Sequence, residues 1–476
     1  MEIRSMHFVE RVRQRLDDDE LQRNLKRTRG RNAASRAAAV AAFPDFDAVR
    51  QRATEIRRSV LRDLDVWLER FEAKATERGA TVLWARDGEH ACELIADIAK
   101  RHGVRTVVKS KSMVSEEAGL NAALEAAGVR PVETDLGEYI LQINDNEPPS
   151  HIIMPVIHKS KEQVSELFAR VHGTPPKTDI EALTHEARAV LRPEFLGADM
   201  GLSGGNFLIA ETGSVAIVTN EGNGRLCTTL PRVHVALTGI EKVIPTLEDL
   251  STLLRILPRS ATGQALTNYV SMLTGPKHAG DPDGPEHMYF VLVDGGRADL
   301  LGSEFEDMLR CIRCGACMNH CPVYQTVGGH AYGWVYPGPM GSVLTPLYQG
   351  LEKAKDLPHA ATLCNQCGVV CPVSIPLPEL MRRLREKQVE RGLRPWSERL
   401  ALRAWAWVAA RPKLYALASR VGVRYLRWLA GGRDRIQVMG LAPGWTAQRD
   451  FPAPAAQTFR ELHAARQAAK RQGGAR

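Results

Sequence analysis

Short apolar runs alternate with amphipathic segments through residues 76–299. The predicted strands are TVLWA (81–85), TVVKS (106–110), VRPVET (129–134) and HIIMPV (151–156). Between them, GEHACELIADIAKRHG and EEAGLNAALEAAG have apolar positions at helical spacing, and Gly103 and Gly128 stand where helix C-caps are expected. Strand–helix alternation with short connections predicts an open α/β domain, with a parallel sheet covered on both faces.

The pattern changes on either side of this alternation. In NFLIAETGSVAIVTNEGN, two apolar runs flank the turn ETGS and predict a β-hairpin, and VHVALTG and MYFVLVDGG predict further strands. The first 75 residues have apolar positions at helical spacing and predict a helical N-terminal region.

Charge and tryptophan content set the last part of the chain apart. Residues 401–476 contain 14 Lys and Arg against 3 Asp and Glu, a net charge of +11, whereas the whole chain has a net charge of +8. Five of the eight tryptophans also follow residue 395. We therefore place a boundary near residue 393 and expect four regions: 1–75 helical, 76–299 α/β, 300–392, and 393–476 a basic helical tail.

No apolar run approaches the roughly 18 residues of a membrane-spanning helix. The N-terminus is densely charged and has no apolar segment typical of a secretory signal, so we expect a cytoplasmic protein. Seven of the nine cysteines lie between 311 and 371, and such clustering in a cytoplasmic chain indicates metal ligands rather than disulfides.

Two cysteine motifs carry the strongest chemical signal. CIRCGACMNHCP, from Cys311 to Pro322, matches the complete C-x2-C-x2-C-x3-C-P pattern of bacterial ferredoxins. The second motif, ATLCNQCGVVCP, has alanine at 361, where the first cysteine would stand. In this pattern the cysteine before proline binds the other cluster. The predicted ligands are Cys311, Cys314, Cys317 and Cys371 for one [4Fe–4S] cluster, and Cys321, Cys364 and Cys367 for a second cluster with only three cysteine ligands. We therefore expect residues 300–392 to form an α-helical domain like a bacterial ferredoxin with two clusters.

The fourth ligand of the second cluster stays open between water, Asp356, His359 and Cys227. A structural zinc bound by two CxxC pairs is the alternative to iron–sulfur, but it would leave three cysteines and both Cys-Pro ends without a role. Cys92 and Cys227 lie outside the motifs and are expected to be buried small residues.

Polar residues at predicted strand ends and turns form a second candidate site, because ligands of open α/β sheets bind at the carboxyl ends of strands. They are Lys109, Lys111, Asp135, Glu138, Glu211, Asn220, Asn223 and Arg225. One hypothesis is that the cations hold a carboxylate or phosphate while Glu211 acts as base or nucleophile; the other is that these are turn and cap residues. No dinucleotide fingerprint and no P-loop are present.

The Gly-rich connection GGHAYGWVYPGPMG (328–341) contains His330, Tyr332 and Tyr336. These side chains are expected to pack the connection, with hydrogen bonding to a cluster as the alternative. The basic tail has a helical pattern with mixed arginines and aromatics, which favours docking to a partner protein. Peripheral contact with an anionic membrane is the alternative, and nothing beyond charge supports nucleic acid.

The chain resembles the lactate utilization protein B family over nearly its whole length. The resemblance rests on VVKSKSMVSEEAGLN, VETDLGEYILQI, PSHIIMPVIHK, IAETGSVAIVTNEGNGR, GIEKVIPTLEDL, GGHAYGWVYPGPMGSVLTPL, LAPGWTAQRDFPAP and the two cysteine motifs. It implies a first domain similar to sugar-phosphate isomerases and CoA transferases, and three cysteines in the second motif of family members too.

The resemblance also implies a function. It indicates an iron–sulfur electron-transfer subunit in the oxidation of L-lactate to pyruvate, with companion proteins A and C, rather than a self-sufficient enzyme. The alternative is a transferase or isomerase of the α/β domain in which the clusters are structural or regulatory. The resemblance assigns no catalytic residue.

Overall fold

The computed structural model describes residues 3–440, 442–447 and 449–473. The chain forms two compact units, one ending at Gln388 and the other beginning at Val389. The four ranges expected from the sequence stay predictions, and the first and last of them include residues outside the described ones. The tail segment LAPGWTAQRDFPAP also includes two such positions, 441 and 448.

Five helices precede the first strand, as the apolar spacing predicted. They are α1 (Phe8–Leu16), α2 (Asp19–Thr28), α3 (Arg31–Ala41), α4 (Phe46–Arg62) and α5 (Leu64–Glu77). The Asp18 side chain accepts a hydrogen bond from the backbone N–H of Leu21 and caps α2. These helices reach the cysteine motifs: Arg50 on α4 donates to the carbonyl of Cys371 over 2.8 Å.

A six-stranded parallel sheet forms the centre of the first unit. The strands up to residue 293 are β1 (Thr81–Ala85), β2 (Thr106–Lys109), β3 (Arg130–Glu133), β4 (Met200–Ser203), β5 (Phe207–Ile209), β6 (Ser214–Thr219), β7 (Val233–Gly239), β8 (Val243–Ile244), β9 (Tyr269–Leu273) and β10 (His287–Val293). The parallel order is β1-β10-β7-β4-β2-β3. Strands β5 and β6 form the predicted hairpin, inside a separate sheet of order β8-β5-β6-β9.

Eight helices are interleaved with these strands. They are α6 (Gly88–Arg101), α7 (Met113–Ala118), α8 (Leu120–Ala126), α9 (Leu136–Ile143), α10 (Lys161–His172), α11 (Ile180–Gly197), α12 (Asn223–Thr229) and α13 (Leu247–Ala261). Gly103 and Gly128 follow helix ends with φ of 63° and 76°, so their predicted capping role is confirmed.

Apolar cores cover both faces of the parallel sheet, because alternate residues of a strand point to opposite sides. On β10, Val291 packs into a core with Ile95 of α6, whereas Phe290 packs into the opposite core with Phe71 of α5. The rings of Phe290 and Phe71 lie 5.4 Å apart between centroids. The prediction of a parallel sheet covered on both faces is confirmed.

The prediction of a strand at HIIMPV (151–156) is wrong. The backbone N–H groups of Ile153 and Met154 donate to Nδ1 of His151 over 3.0 and 3.1 Å, and the N–H of Ser150 donates to the carbonyl of Pro155. These local bonds close a turn, so the segment forms no sheet ladder. Ile152 is buried, and the segment packs against the first cysteine motif: a Cβ placed on Gly315 would lie 3.4 Å from the side chains of His151 and Ile153.

The cysteine motifs lie among short helices. These are α14 (Ala316–Asn319), α15 (Tyr324–Val327), α16 (Gly338–Gln349), α17 (Gln366–Val369) and α18 (Leu377–Glu390). Short 3₁₀ helices cover Ser5–His7, Ile240–Lys242, Ala298–Leu300, Glu306–Arg310, His330–Tyr332, Leu357–His359 and Pro443–Trp445.

The second unit is mainly helical. Its elements are α19 (Trp396–Ala409), α20 (Pro412–Ala430) and α21 (Phe459–Gly473), with a small antiparallel pair of β11 (Arg435–Ile436) and β12 (Phe451–Pro452). Within the described ranges, the structure contains no helix with both the length and the apolar character needed to cross a bilayer.

Candidate iron–sulfur site and neighbouring cavity

The two cysteine motifs have the same backbone conformation. Arg313 and Gly315 flank Cys314 with φ of 57° and 74°, and Leu363 and Asn365 flank the corresponding cysteine with φ of 55° and 66°. Left-handed backbone is strained for arginine and leucine, and such strain persists where the surroundings enforce it. Each loop then enters a four-residue helix, α14 or α17. The motifs are therefore a structural repeat, although only the first has a cysteine at its first position.

Four thiols from both motifs form one group. Burial raises the pKa of the Cys317 thiol well above its ordinary value, and the thiolates of Cys314, Cys311, Cys367 and Cys371 raise it further. Burial likewise raises the pKa of Cys314, with further increases from the Cys371 and Cys311 thiolates. The effects among Cys311, Cys314, Cys317 and Cys371 require these four thiols to lie close to one another.

Three other thiols form a second group. Burial raises the pKa of Cys367 to about 12, with further increases from the Cys321 and Cys364 thiolates. Burial also raises the pKa of Cys321, with a contribution from Cys364. Cys364 is exposed, whereas Cys321 is buried. The influence of Cys367 on Cys317 joins this group to the first.

Backbone and cationic groups support the thiols. The N–H of Ile375 donates to Sγ of Cys371 over 3.3 Å. Lys242 donates to the carbonyl of Cys311 over 3.2 Å. Soft thiolates in a buried setting with nearby cations and amide donors suit iron–sulfur clusters, whose potential depends on such hydrogen bonds. A single zinc ion would use only four of the seven thiols.

A small cavity marks the place of the missing cysteine. Cys321, Cys364 and Cys367 line this cavity together with Ala361 and His320. Nδ1 of His320 donates to the carbonyl of Ala316 over 2.8 Å, which leaves Nε2 for another partner. Sequence reasoning missed His320, which directly precedes Cys321 in the motif.

The candidates for a fourth ligand that the sequence suggested lie elsewhere. Cys227 is fully buried in the apolar core beside Phe168, and its Sγ lies 3.3 Å from Oγ1 of Thr134. Nε2 of His359 is 2.9 Å from the side-chain oxygen of Gln388. Neither these residues nor Asp356 is among the residues described around the small cavity. Cys92 is buried on α6, so its expected role as a core residue is confirmed.

The connection between the motifs packs against its surroundings. The hydroxyl of Tyr336 donates to Glu117 over 2.6 Å, and Nε2 of His330 lies 2.7 Å from the carbonyl of Pro148. The hydroxyl of Tyr332 is buried without a hydrogen-bond partner in the described part of the chain. Burial raises the pKa of Tyr332 well above its ordinary value, and the Cys321 thiolate adds to this. Tyr332 therefore lies close to the thiols.

Only some of the polar candidates in the α/β region come together. Lys111, Asp135 and Asn223 line a cavity of about 180 Å³ at the carboxyl ends of the parallel strands. Lys109 lies outside it: its ammonium is fully buried, 2.5 Å from Glu133, where it forms a structural ion pair.

The other candidates make structural contacts. Glu211 accepts from the N–H of Leu247 over 2.9 Å at the start of α13, and Asn220 accepts from the N–H of Asn268. The Arg225 guanidinium stacks over the Tyr269 ring at 4.7 Å. Glu138 is buried beside Lys111 at 3.2 Å, and burial raises its pKa well above the ordinary value. The hypothesis grouped Lys109, Lys111 and Arg225 with Glu211. Of these four, only Lys111 is in the wall of this cavity.

Sequence reasoning missed two cations of the cavity, Lys242 and Arg313. Lys242 follows β7, at the carboxyl end of a central strand, and this position was the available signal. Burial lowers the pKa of Lys242 to about 8, opposed by Glu241. Arg313 lies inside the first cysteine motif, 3.6 Å from Glu241, with its guanidinium over the Tyr336 ring at 4.7 Å.

A buried charge network joins this cavity to the cysteine motifs. Arg297 is fully buried and donates to Glu241 over 2.8 Å and to Glu117 over 2.9 and 3.1 Å. Burial opposes ionisation of Glu241, but Arg297, Lys242 and Arg313 outweigh it and lower its pKa to about 2. The Glu241 carboxylate therefore stays charged at neutral pH.

The chain matches three family models. Residues 68–293 match the LUD domain, residues 307–375 match the 4Fe-4S dicluster domain, and residues 382–468 match the lactate utilisation protein B C-terminal model.

Curated relatives are similar over almost their entire length. Lactate utilization protein B of Bacillus licheniformis is 44% identical over 462 residues, which are 97% of each chain. An uncharacterized electron transport protein of Escherichia coli is 43% identical over 98% of each chain. Lactate utilization protein B of Bacillus subtilis is 43% identical over 99% of this chain and 98% of that protein.

Replacing Arg297 by methionine should destabilise the first unit. The change leaves Glu241 and Glu117 buried without their main cation, which costs about 3–5 kcal/mol in free energy of unfolding. Denaturant unfolding of the anaerobic protein measures this loss. The control is Arg382→Met, which removes an exposed pair with Glu386 and should cost less than about 1 kcal/mol. Equal losses in the two variants would contradict a structural role for the network.

Proposed function

Because the chain belongs to the lactate utilization protein B family, it is an iron–sulfur protein of lactate utilization, and we propose that it carries electrons from the oxidation of L-lactate to pyruvate. The observation that carries this proposal is the division of the seven motif thiols into a group of four and a group of three. When bound, two [4Fe–4S] clusters would supply one-electron transfer between these groups.

Each thiol has a proposed place in this scheme. Cys311, Cys314, Cys317 and Cys371 would hold the first cluster, and Cys321, Cys364 and Cys367 the second. Each group takes thiols from both motifs, as expected when the cysteine before proline binds the other cluster. Position 361 stands where the second group would need its fourth thiolate.

The two thiol groups differ in their access to solvent. Cys314, Cys317 and Cys371 are buried, whereas Cys364 is exposed. Electron exchange with another protein requires a close approach, so the second group would face the partner. The first group would face the interior, where Lys242 and Arg50 donate to carbonyls of its cysteines.

Cys314→Ser should abolish lactate-dependent electron flow, because it removes a thiolate from the first group. The measurement is lactate-dependent dye reduction by the purified chain with its companion proteins, alongside iron content. Cys227→Ser is the matched control, because Cys227 is buried in the apolar core, and electron flow should persist. Full activity in a Cys314→Ser protein shown to lack the first cluster would contradict electron transfer and favour a transferase or isomerase.

Ala361→Cys should stabilise the second cluster. With three thiolates, the fourth iron would be held by water and would leave on mild oxidation, whereas a cysteine at 361 restores the complete ferredoxin spacing. Electron paramagnetic resonance of mildly oxidised protein should show a three-iron signal in the parent and none in Ala361→Cys.

The variant His320→Ala tests whether water or His320 is the fourth ligand of the second cluster. With water, the three-iron signal persists in His320→Ala at the parent's intensity. A parent without the signal, and its appearance only in His320→Ala, would show that the histidine binds this iron and would contradict the labile-iron proposal.

The basic tail would dock to the companion proteins A and C. Trp396, Trp405 and Trp428 are 72%, 65% and 74% exposed, although tryptophan is usually well buried. Tryptophan and arginine anchor many protein interfaces, and the tail combines both. Exposed aromatics beside basic side chains on α19 and α20 support a protein partner.

Deleting residues 393–476 should leave both clusters in place and weaken association with the companion proteins. All seven motif thiols lie in the first compact unit, so iron and sulfide content should match the full chain. Co-purification with the companion proteins measures the association, and Trp428→Ala in the full chain should weaken it in the same direction. If the truncated chain co-purifies fully but no longer binds anionic lipid vesicles, the tail is a membrane-contact segment instead.

A further inference from the structure

The cavity at the carboxyl ends of the parallel strands lies directly beside the first cysteine motif. Ser110 after β2, Gly204 after β4 and Leu237 near the end of β7 contribute to its wall. Ile312 and Arg313, which separate Cys311 from Cys314, close its other side. A ligand in this cavity would therefore lie next to the loop that carries the first thiol group.

The cavity has an excess of positive charge. Lys111, Lys242 and Arg313 line it, and Asp135 is the carboxylate of its wall, with Glu241 behind Arg313. Glu138 is not in the wall; it lies 3.2 Å from Lys111, and burial raises the pKa of its carboxyl well above the ordinary value. Three cations and one carboxylate thus line the cavity, which favours an anionic ligand.

A buried amide oxygen without a protein partner belongs to the wall. Asn223 is about nine-tenths buried, and its Oδ1 has no hydrogen-bond partner in the described structure. A buried unpaired amide oxygen is costly, so a ligand hydroxyl or water is expected to donate to it. Asn206 and Ser110 line the same wall, and Ile152 and Ile217 form an apolar part.

Size restricts the ligand further. The cavity volume of about 180 Å³ is smaller than the roughly 300–1,000 Å³ of pockets for drug-sized ligands. The cavity therefore suits a compact metabolite better than a dinucleotide. The cavity offers cations for a carboxylate, an amide oxygen for a hydroxyl and an apolar wall for a short alkyl group. A short hydroxy acid carries all three of these groups.

We propose that this cavity binds a short monocarboxylate with an oxygen on the carbon next to the carboxylate, of the 2-hydroxy or 2-oxo acid class. Lys111, Lys242 and Arg313 attract the carboxylate, Asn223 and Asn206 bind the neighbouring oxygen, and the isoleucines contact the alkyl group. The assignment rests on the proposed function only in the choice of acid. It concerns binding and assigns no chemical step to the cavity.

Calorimetric titration of the anaerobic full chain with both clusters tests the binding. The probes are L-lactate, pyruvate, propionate and inorganic phosphate. L-lactate or pyruvate should bind with one site per chain, and propionate, which lacks the second oxygen, should bind at least about tenfold more weakly. Phosphate binding as tight as that of the best carboxylate would overturn the proposal in favour of an inorganic oxyanion site.

Two variants locate the binding. Lys111→Met and Asn223→Ala should each weaken L-lactate or pyruvate binding about tenfold or more, since each removes a hydrogen-bonding group. Asn223→Ala removes an oxygen without a protein partner, so this variant should fold normally. It therefore tests the binding even if Lys111→Met does not fold. Lys177→Met is the control, because Lys177 pairs with Glu186 away from the cavity wall. Unchanged affinity in both cavity variants, or no carboxylate binding by a chain with both clusters, would overturn the assignment.

The same preparations separate this inference from the proposed function. Carboxylate binding without lactate-dependent cluster reduction in the presence of the companion proteins would support the cavity and contradict electron transfer. Cluster reduction without carboxylate binding by this chain would support electron transfer and overturn the cavity assignment.

Discussion

The buried pairing of Arg297 with Glu241 and Glu117 is the constraint on which the arrangement of the first unit depends. A charge without a partner is expensive in such an environment, so these side chains fix the positions of the segments that carry them. Glu241 follows the central strand β7, Glu117 lies on α7, and the hydroxyl of Tyr336 between the motifs donates to Glu117. The strand ends and the cysteine motifs are therefore held as one structure.

Arg57 strengthens this connection from the N-terminal helices. Its guanidinium is fully buried and donates to the carbonyls of Val243 and Leu309 over 2.9 and 3.0 Å. Val243 belongs to the α/β region, and Leu309 precedes the first cysteine motif. Helix α4 thus ties the sheet to the proposed cluster site, and the cavity between them has walls from both. This geometry places the cavity next to the first cysteine motif.

Helices and strands could be predicted where the apolar pattern along the chain is clear. The cluster ligands could be predicted because the spacing of the cysteines is typical of ferredoxins. Strand β1 matches its predicted range, because TVLWA is a short apolar run with clear boundaries. The strand prediction for HIIMPV was wrong because an apolar run indicates burial but does not show what the segment packs against. The segment packs against the first cysteine motif, and His151 accepts hydrogen bonds from its backbone. Lys109 and Lys111 both stand at the end of the same predicted strand, and only the fold shows that Lys111 lines the cavity. His320 and Arg313 were not predicted, because the spacing of the cysteines indicates the sulfur ligands but not the roles of the residues between them.

The central claim is that seven thiolates hold two clusters, and Mössbauer spectroscopy of anaerobic full-length protein enriched in the iron isotope tests it most directly. The account predicts two tetranuclear clusters, about eight irons per chain, with one iron whose parameters differ because its fourth ligand is not a thiolate. A protein with stoichiometric zinc and no iron–sulfur spectrum, or with a single tetranuclear cluster and about four irons per chain, would contradict it.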